Sequence, residues 1–122
     1  MLRGLIMDYG GVLTDGEAVL AIVRRARAAG VRTALLSEAT GVPADCAALF
    51  DVVVLGPTGG ARKPDPAAFR ATADLLGLPV PDCVVVDDLP ANLAGARAAG
   101  AVIVRHEDPH TTVAELEILL GL

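Results

Sequence analysis

Aromatic side chains are nearly missing from this 122-residue chain, which contains two Phe, one Tyr and no Trp. Hydrophobic residues nevertheless make up 53% of the sequence, so the core has to be built mainly from Ala, Val and Leu. A chain of this length holds one core and leaves little room for a second, so residues 1–122 are assigned to a single domain. The apolar composition also favours self-association or a partner subunit.

Positive charge is also scarce, because ten Lys and Arg residues face fifteen Asp and Glu residues and the net charge is -5. A protein that binds nucleic acid needs a basic face, so the charge argues against this class of partner. The sequence lacks an apolar run near the ~18 residues of a membrane span, and Asp8 interrupts the one candidate for a signal-peptide core. We therefore expect no membrane partner and a cytoplasmic location.

Two further residue types are rare. The two cysteines, Cys46 and Cys83, have a spacing that favours reduced thiols in an intracellular protein over a disulfide or a zinc site. Lys63 is the only lysine, while every other basic residue except histidine is arginine. A compact ammonium group has uses that a planar guanidinium group does not, which makes Lys63 a candidate functional residue.

Short apolar runs alternate regularly with helical patterns along the chain. The predicted strands are Leu2–Met7, Val31–Leu36, Val52–Leu55, Cys83–Val86 and Ala101–Val104. The predicted helices are Glu17–Ala29, Ala44–Leu49, Pro66–Leu76, Pro90–Ala99 and Thr112–Leu120. Short β-branched strands separated by helices are typical of a parallel sheet that is covered on both faces. The pattern therefore predicts one doubly wound α/β domain.

Polar residues follow four of the predicted strands: Asp8, Ser37, Lys63 and the pair Asp87-Asp88. Because parallel strands present their carboxyl ends at one edge of the sheet, we expect these residues to lie together. Ser37 alone is more typical of a loop or cap residue. For Asp87-Asp88, a cap on the helix that begins at Pro90 has even odds with a functional role. The whole set on one edge favours a functional site.

The chemistry of this set fits phosphoryl transfer. Adjacent carboxylates repel each other and need a cation, and an all-oxygen cluster favours Mg²⁺. One carboxylate can then attack phosphorus and form an aspartyl-phosphate. The Ser37 hydroxyl and the backbone amides near Gly10 and Gly11 can hold phosphate oxygens. Lys63 would neutralise the charge of the nucleophile and of the transferred group, so the expected partner is a phosphorylated substrate, small or macromolecular.

Four segments, in this order, resemble the motifs of the haloacid dehalogenase (HAD) superfamily: Asp8-Tyr9-Gly10-Gly11-Val12-Leu13-Thr14, Leu35-Leu36-Ser37, Arg62-Lys63-Pro64-Asp65-Pro66, and Val86-Asp87-Asp88 with Asn92 and Gly95-Ala96. The resemblance covers nearly the whole chain. It implies a Rossmann-like three-layer α/β/α sandwich with a five-stranded parallel sheet of order 3-2-1-4-5. It also implies, most often, Mg²⁺-dependent phosphatase activity.

The resemblance further implies a role for each residue at a motif position. Asp8 would be the catalytic nucleophile, Lys63 the stabilising lysine and Ser37 the phosphate-binding hydroxyl. The metal ligands would be Asp8, the backbone carbonyl of Gly10, Asp87 and Asp88. Which of the two adjacent aspartates contacts the metal directly is left open. Asn92 is expected to be a helix-start or supporting residue rather than a ligand.

Gly10 is one departure from the family pattern, because most phosphatases of this family have a second aspartate there as general acid. Glycine retains the backbone carbonyl that binds the metal but removes the proton donor. Such a loss costs ~10²–10⁴-fold in rate, and less when the leaving group is already acidic, as in acyl phosphates. Asp15 and Glu17 are nearby, but Asp15 more often has a structural part in the family. Tyr9 is expected to pack, and dehalogenation is disfavoured.

The second departure is the missing cap domain. The predicted helix Glu17–Ala29 follows Asp15 almost at once, and only Gly56–Arg62 separates the third strand from Lys63. Neither place has room for a cap, so we expect an open site. Either the substrate is large, or another subunit of a homo-oligomer or complex covers the site.

Three functions are compared. The favoured one is a phosphatase that acts through Asp8, of low activity because of Gly10. The alternative is a catalytically impaired module that binds Mg²⁺ and a phosphorylated partner. A phospho-accepting receiver domain is disfavoured, because its acceptor aspartate should end the third strand, where this chain has Leu55. His106 and His110 are predicted to lie in a solvated loop rather than in a metal site.

Overall fold

The computed structural model describes residues 2–122. Its strands are β1 (Gly4–Met7), β2 (Arg32–Ser37), β3 (Val52–Leu55), β4 (Cys83–Asp87) and β5 (Val102–Arg105). Its α-helices are α1 (Glu17–Ala28), α2 (Ala44–Ala47), α3 (Pro66–Leu76), α4 (Pro90–Ala99) and α5 (Pro109–Leu120). Short 3₁₀ turns lie at Leu13–Asp15 and Val80–Asp82. Every predicted strand and helix is present, with ends displaced by a few residues.

The five strands form one parallel sheet of order β3-β2-β1-β4-β5. β1 is central and wholly buried, and its residue Met7 is in register with Leu35 on one side and Val86 on the other. A strand that is buried on both faces needs a continuous apolar run, which is what the chain has before Asp8. The predicted sheet order is confirmed.

Alternate residues of the strands belong to two separate apolar layers, one on each face of the sheet. One layer packs α1, α2 and α5 against one face of the sheet and includes Leu5, Met7, Leu35, Val84 and Val86. The other packs α3 and α4 against the opposite face and includes Ile6, Ala34, Leu36, Val85 and Phe69. The three-layer α/β/α sandwich is therefore confirmed. Its core is aliphatic except for Phe50 and Phe69, both of which are buried.

Two helix boundaries differ from the sequence prediction. α5 begins at Pro109 rather than at Thr112, because the Asp108 carboxylate accepts a hydrogen bond from the Thr111 N–H at 2.8 Å and caps the helix. The second helix is shorter than predicted and spans only Ala44–Ala47. This single turn leaves Val53 and Leu55 of the edge strand partly uncovered.

No cap domain interrupts the sheet within residues 2–122. Residues 8–16 join β1 to α1, and residues 56–65 join β3 to α3. Both connections are too short for a cap, so residues 2–122 form the core fold without one, as predicted. In the same part of the chain, no helix combines the length and apolar character that crossing a membrane requires.

The two cysteines, Cys46 and Cys83, are free and buried. Burial raises the pKa of the Cys83 thiol to about 11, since the thiolate would lose its hydration. Cys83 therefore behaves as a small apolar residue at the start of β4.

Candidate active site

The lysine predicted to be functional connects the ends of two neighbouring strands. Lys63 Nζ donates a hydrogen bond to Asp8 Oδ1 at 3.0 Å and another to Asp87 Oδ2 at 3.0 Å. Its side chain is only 3% exposed, and that of Asp87 is 1% exposed. Because a buried ammonium group needs compensation, the two carboxylates and Lys63 stabilise one another. The sequence therefore correctly grouped these three residues.

Asp88 joins the same cluster. One carboxylate oxygen each from Asp8, Asp87 and Asp88 lies within 4.8 Å of the other two. Such a spacing suits a cation held by several oxygen atoms, and oxygen-only ligands favour Mg²⁺ over a transition metal. The donor set present thus fits the cation predicted from the sequence.

Asp8 is a carboxylate that the protein partly desolvates. Burial raises the pKa of Asp8 above its ordinary value because the ionised form loses hydration. The Lys63 ammonium opposes this shift, whereas the Asp87 carboxylate adds to it. A divalent cation among the three carboxylates would favour the ionised form of Asp8, which is the nucleophilic one.

The N-cap position of α4 is Leu89, which has no side-chain cap hydrogen bond, so the helix-cap role that the sequence left open is wrong for Asp87. Asp87 Oδ1 accepts from the Leu89 N–H at 3.0 Å, which forms the turn into α4. Its Oδ2 accepts from Lys63 and also from Asn92 Nδ2 at 3.1 Å. Asn92 thus holds the Asp87 carboxylate from the first turn of α4, and its role as a supporting residue rather than a ligand stays a prediction.

Gly11 is required by both its backbone and its surroundings. Its φ of +79° lies in the region that side chains rarely adopt, and an added Cβ would lie 2.9 Å from Asp88 Cγ. The Asp88 carboxylate therefore packs directly against the backbone of the loop that follows Asp8. The glycine lets this acidic residue approach the Asp8 carboxylate.

Gly10 is not required in the same way. Its φ is not positive, and an added Cβ would meet no atom within 4 Å among the described residues. A Cβ at this position would therefore meet open space. The missing acid is a feature of the sequence that the backbone does not impose.

The two acids that could replace a side chain at residue 10 are occupied elsewhere. Asp15 Oδ2 lies 2.7 Å from His106 Nε2, and Glu17 Oε1 accepts from Arg24 at 2.5 Å. Tyr9 packs against the apolar layer under α1, as predicted. Asp15 is therefore paired with His106 and Glu17 with Arg24, so neither carboxyl group is unpartnered in the structure.

Ser37 and the two glycine amides lie at the expected edge of the sheet. Ser37 ends β2, is buried, and its Oγ accepts from the Ala39 N–H at 3.1 Å. It makes no hydrogen bond to Asp8, Lys63 or Asp87 in the described chain. The Gly11 N–H donates to Thr14 Oγ1 at 2.9 Å, whereas the Gly10 N–H has no acceptor among residues 2–122. A phosphate-binding role for these groups stays a prediction.

The segment that carries Lys63 is fixed from both sides. On one side, the Asp65 N–H donates to the Arg62 carbonyl and the Asp65 side chain caps α3. On the other, α4 packs so closely that a methyl group at Gly95 would lie 2.9 Å from the carbonyl carbon of Pro64. The glycine of the fourth motif therefore lets α4 hold Lys63 in the cluster.

His106 corrects one prediction from the sequence. It is buried rather than solvated, and Nε2 contacts Asp15 Oδ2 while Nδ1 contacts Thr112 Oγ1, both at 2.7 Å. The backbone N–H of His106 donates a hydrogen bond to the Asp87 carbonyl at 2.9 Å. His106 thus connects the loop after Asp8, the end of β4 and helix α5. His110 is exposed, as expected, but it lies in the first turn of α5 rather than in a loop.

The fold and this carboxylate–lysine cluster define a hydrolase of the haloacid dehalogenase type. The model of the haloacid dehalogenase-like hydrolase family matches residues 17–100, which is more than half of the chain. The chain therefore belongs to the haloacid dehalogenase-like hydrolases.

Curated relatives include phosphatases. The chain is 36% identical over 106 residues to acyl-CoA dehydrogenase family member 10 of Mus musculus, with 81% of the chain and 10% of that protein covered. It is 30% identical over 118 residues to Protein CbbY of Rhodobacter capsulatus, with 84% and 52% covered. It is 46% identical over 52 residues to a phosphoglycolate phosphatase of Rhodospirillum rubrum, with 43% and 22% covered. The chain thus spans between about a tenth and about half of these relatives.

Solved structures give the same fold. An uncharacterized protein from Corynebacterium glutamicum has a TM-score of 0.88 and 36% identity, with 100% of this chain and 97% of that one covered. A HAD family enzyme from Bacteroides thetaiotaomicron, solved with magnesium and inorganic phosphate, has a TM-score of 0.67 and 12% identity, with 88% and 95% covered. The second likeness concerns the fold alone.

Proposed function

We propose that the chain is a Mg²⁺-dependent phosphatase that forms an aspartyl-phosphate on Asp8. The observation that carries the proposal is the position of Lys63 Nζ, which lies 3.0 Å from both Asp8 and Asp87. Hydrolytic relatives, including a phosphoglycolate phosphatase, support the same class of reaction.

In this proposal, Asp8 attacks the phosphorus atom and the leaving group departs with its electron pair. Lys63 holds Asp8 Oδ1 and restricts rotation of the carboxylate, so the nucleophile is oriented before substrate arrives. The ammonium group also stabilises negative charge on the phosphoryl oxygens. Ser37 Oγ and the Gly10 N–H are the groups assigned to hold those oxygens.

Mg²⁺ would be held by Asp8, Asp87, Asp88 and the Gly10 carbonyl, and it would supply positive charge that neutralises the phosphoryl group. Asp88 reaches this position because Gly11 has no side chain. Asp87 is kept in place by Asn92 and the Leu89 N–H. These contacts preorganise the carboxylates without the cation, which lowers the cost of assembling the site.

Proton transfer is the step of the proposed reaction that the site supports least. Gly10 provides no acid for the leaving group and no base for the water that attacks the aspartyl-phosphate. Since Asp15 and Glu17 are bonded to other side chains, we propose that substrates with acidic leaving groups are preferred. The same gap supports the second candidate, a module that binds Mg²⁺ and a phosphorylated partner without turnover.

The open site bears on substrate size. The connections from β1 to α1 (residues 8–16) and from β3 to α3 (residues 56–65) are short. No segment of residues 2–122 therefore forms a cap over a bound small molecule. We propose that a bulky phosphorylated substrate, or a second subunit, excludes water from the site.

Phosphate release from acetyl phosphate and from 4-nitrophenyl phosphate tests the function. We expect turnover with Mg²⁺ and its loss on chelation by EDTA, with recovery when excess Mg²⁺ is restored. Ca²⁺ serves as the control cation, because its larger and more flexible coordination should support little turnover. Mg²⁺ binding without release from either substrate would instead favour the binding module.

A further inference from the structure

Two charged residues flank the groups assigned to the phosphate. Glu38 directly follows Ser37 at the end of β2, and Arg62 directly precedes Lys63. Arg62 Nη1 lies 3.6 Å from Glu38 Oε2, so the pair bridges the loop after β2 and the loop before α3. The two side chains therefore join the loop after β2 to the loop before α3, each next in sequence to a residue assigned to the phosphate.

This ion pair is loosely made. The side chain of Arg62 is 64% exposed and that of Glu38 is 40% exposed, and no hydrogen bond joins them. In contrast, Arg27 donates a hydrogen bond to Asp51 at 3.0 Å and a second one to the Ala48 carbonyl. An exposed pair without a hydrogen bond adds little stability, so Arg62 can exchange Glu38 for another anion at small cost.

The centre of the site has no positive charge to spare for a second anionic group. One ammonium group and the proposed divalent cation would together balance the charges of the three carboxylates. The surrounding loops add Glu38 and Asp65, and the whole chain has a net charge of -5. Arg62 is the cation that lies directly beside Lys63, and its planar guanidinium group suits paired contacts to a carboxylate or a phosphate.

We propose that Arg62 is a specificity-determining residue that binds a second anionic group, a carboxylate or a further phosphate, on the phosphorylated substrate. When no substrate is bound, Glu38 pairs with the guanidinium group of Arg62. It therefore competes with weakly charged ligands for this group. The inference rests on the proposed function for the position of the first phosphate. It names the substrate class as phosphate esters with two anionic groups.

Two aryl phosphates isolate the effect of the second charge. 4-Carboxyphenyl phosphate and 4-carbamoylphenyl phosphate have similar size and leaving groups, but only the first carries an additional negative charge. We expect kcat/KM to favour the carboxylated ester by about fivefold to tenfold, the range of a charge-assisted contact at a partly exposed site. Arg62→Gln should remove this preference, and Glu38→Gln should increase it.

Two further arginine substitutions make the same charge change, one as a control and one as a test of the alternative assignment. Arg97→Gln, in the last turn of α4 at the opposite edge of the sheet, should keep the preference unchanged. Arg105→Gln, at the end of β5, tests the other arginine at the edge of the site. Loss of the preference in Arg105→Gln but not in Arg62→Gln would overturn the assignment, as would equal rates for the two esters in the unaltered protein.

A binding assay keeps this inference separate from the proposed function. Calorimetric titration of Asp8→Asn with each ester, in the presence of Mg²⁺, measures the preference without turnover. If the unaltered chain releases no phosphate but Arg62 still discriminates between the two esters, the phosphatase proposal fails and the assignment of Arg62 stands. If turnover occurs and Arg62→Gln alters both esters equally, only the assignment of Arg62 fails.

Discussion

Asp8→Asn is expected to reduce Mg²⁺-dependent phosphate release by about 10⁴-fold or more, because an amide cannot attack phosphorus. The variant keeps the shape of the side chain and an oxygen that can accept from Lys63 Nζ, so the fold should be retained. Initial rates with acetyl phosphate, measured beside the unaltered protein, check the prediction. Asp74→Asn on the exposed face of α3 is the matched control and should retain full activity.

The same substitution should increase the stability of the metal-free protein at neutral pH. Burial raises the pKa of Asp8, so the folded state binds the proton of this carboxyl group more tightly than the unfolded state. Ionisation of Asp8 therefore lowers the free energy of unfolding. This loss is absent below the pKa of Asp8 in the unfolded state, grows as the pH rises towards the pKa in the folded state, and is complete above it. Asp8→Asn removes this loss, and the difference in melting temperature should vanish in acid.

Addition of Mg²⁺ should reverse the order of stability, because a ligand that binds only the folded state stabilises the protein that binds it best. The unaltered chain is expected to gain more from Mg²⁺ than Asp8→Asn. Equal melting temperatures with and without the cation, for both proteins, would contradict a metal site that includes Asp8. Retained turnover in Asp8→Asn would contradict its role as nucleophile.

Gly10→Asp is expected to raise the turnover of alkyl phosphates by ~10²–10⁴-fold, since it supplies the proton donor that an alkoxide leaving group needs. The structure permits this change, because Gly10 has no positive φ and no atom lies within 4 Å of an added Cβ in the described chain. Acetyl phosphate should gain little, because its leaving group is already acidic.

A series of esters with leaving groups of different pKa measures the effect. In the unaltered protein, log kcat/KM should fall steeply as the leaving-group pKa rises, and Gly10→Asp should flatten this dependence. Gly10→Ala and Gly10→Asn are the controls that add a side chain without an acid, and both should keep the steep slope. An unchanged slope in Gly10→Asp would mean that proton donation does not limit the reaction.

The fold was largely predictable from the sequence because its signals are local. The apolar run before Asp8 and the alternation of short strands with helices predict a covered parallel sheet, and the four motifs predict its order. Lys63, Asp8 and Asp87 were grouped correctly because parallel strands bring their carboxyl ends to one edge. The assignment of residues 1–122 to one domain stays a prediction.

The supporting contacts were not predictable, since they depend on packing between distant segments. His106 is close to charged residues in the sequence, which suggested a solvated loop, yet Asp15 and Thr112 enclose it in the fold. Likewise, no local pattern reveals that Gly11 lies against Asp88 or that Gly95 lies against Pro64. These two close contacts depend on how β1, β4 and α4 pack against one another and against the neighbouring loops.

The central claim is that Asp8 receives the phosphoryl group, and transfer of labelled phosphate to the protein tests it most directly. Incubation with ³²P-labelled acetyl phosphate and Mg²⁺, followed by rapid acid quench, should give a labelled protein. The label should be released by hydroxylamine, which cleaves acyl phosphates, and peptide mapping should locate it at Asp8. Label at another residue, or equal labelling of Asp8→Asn, would contradict the account.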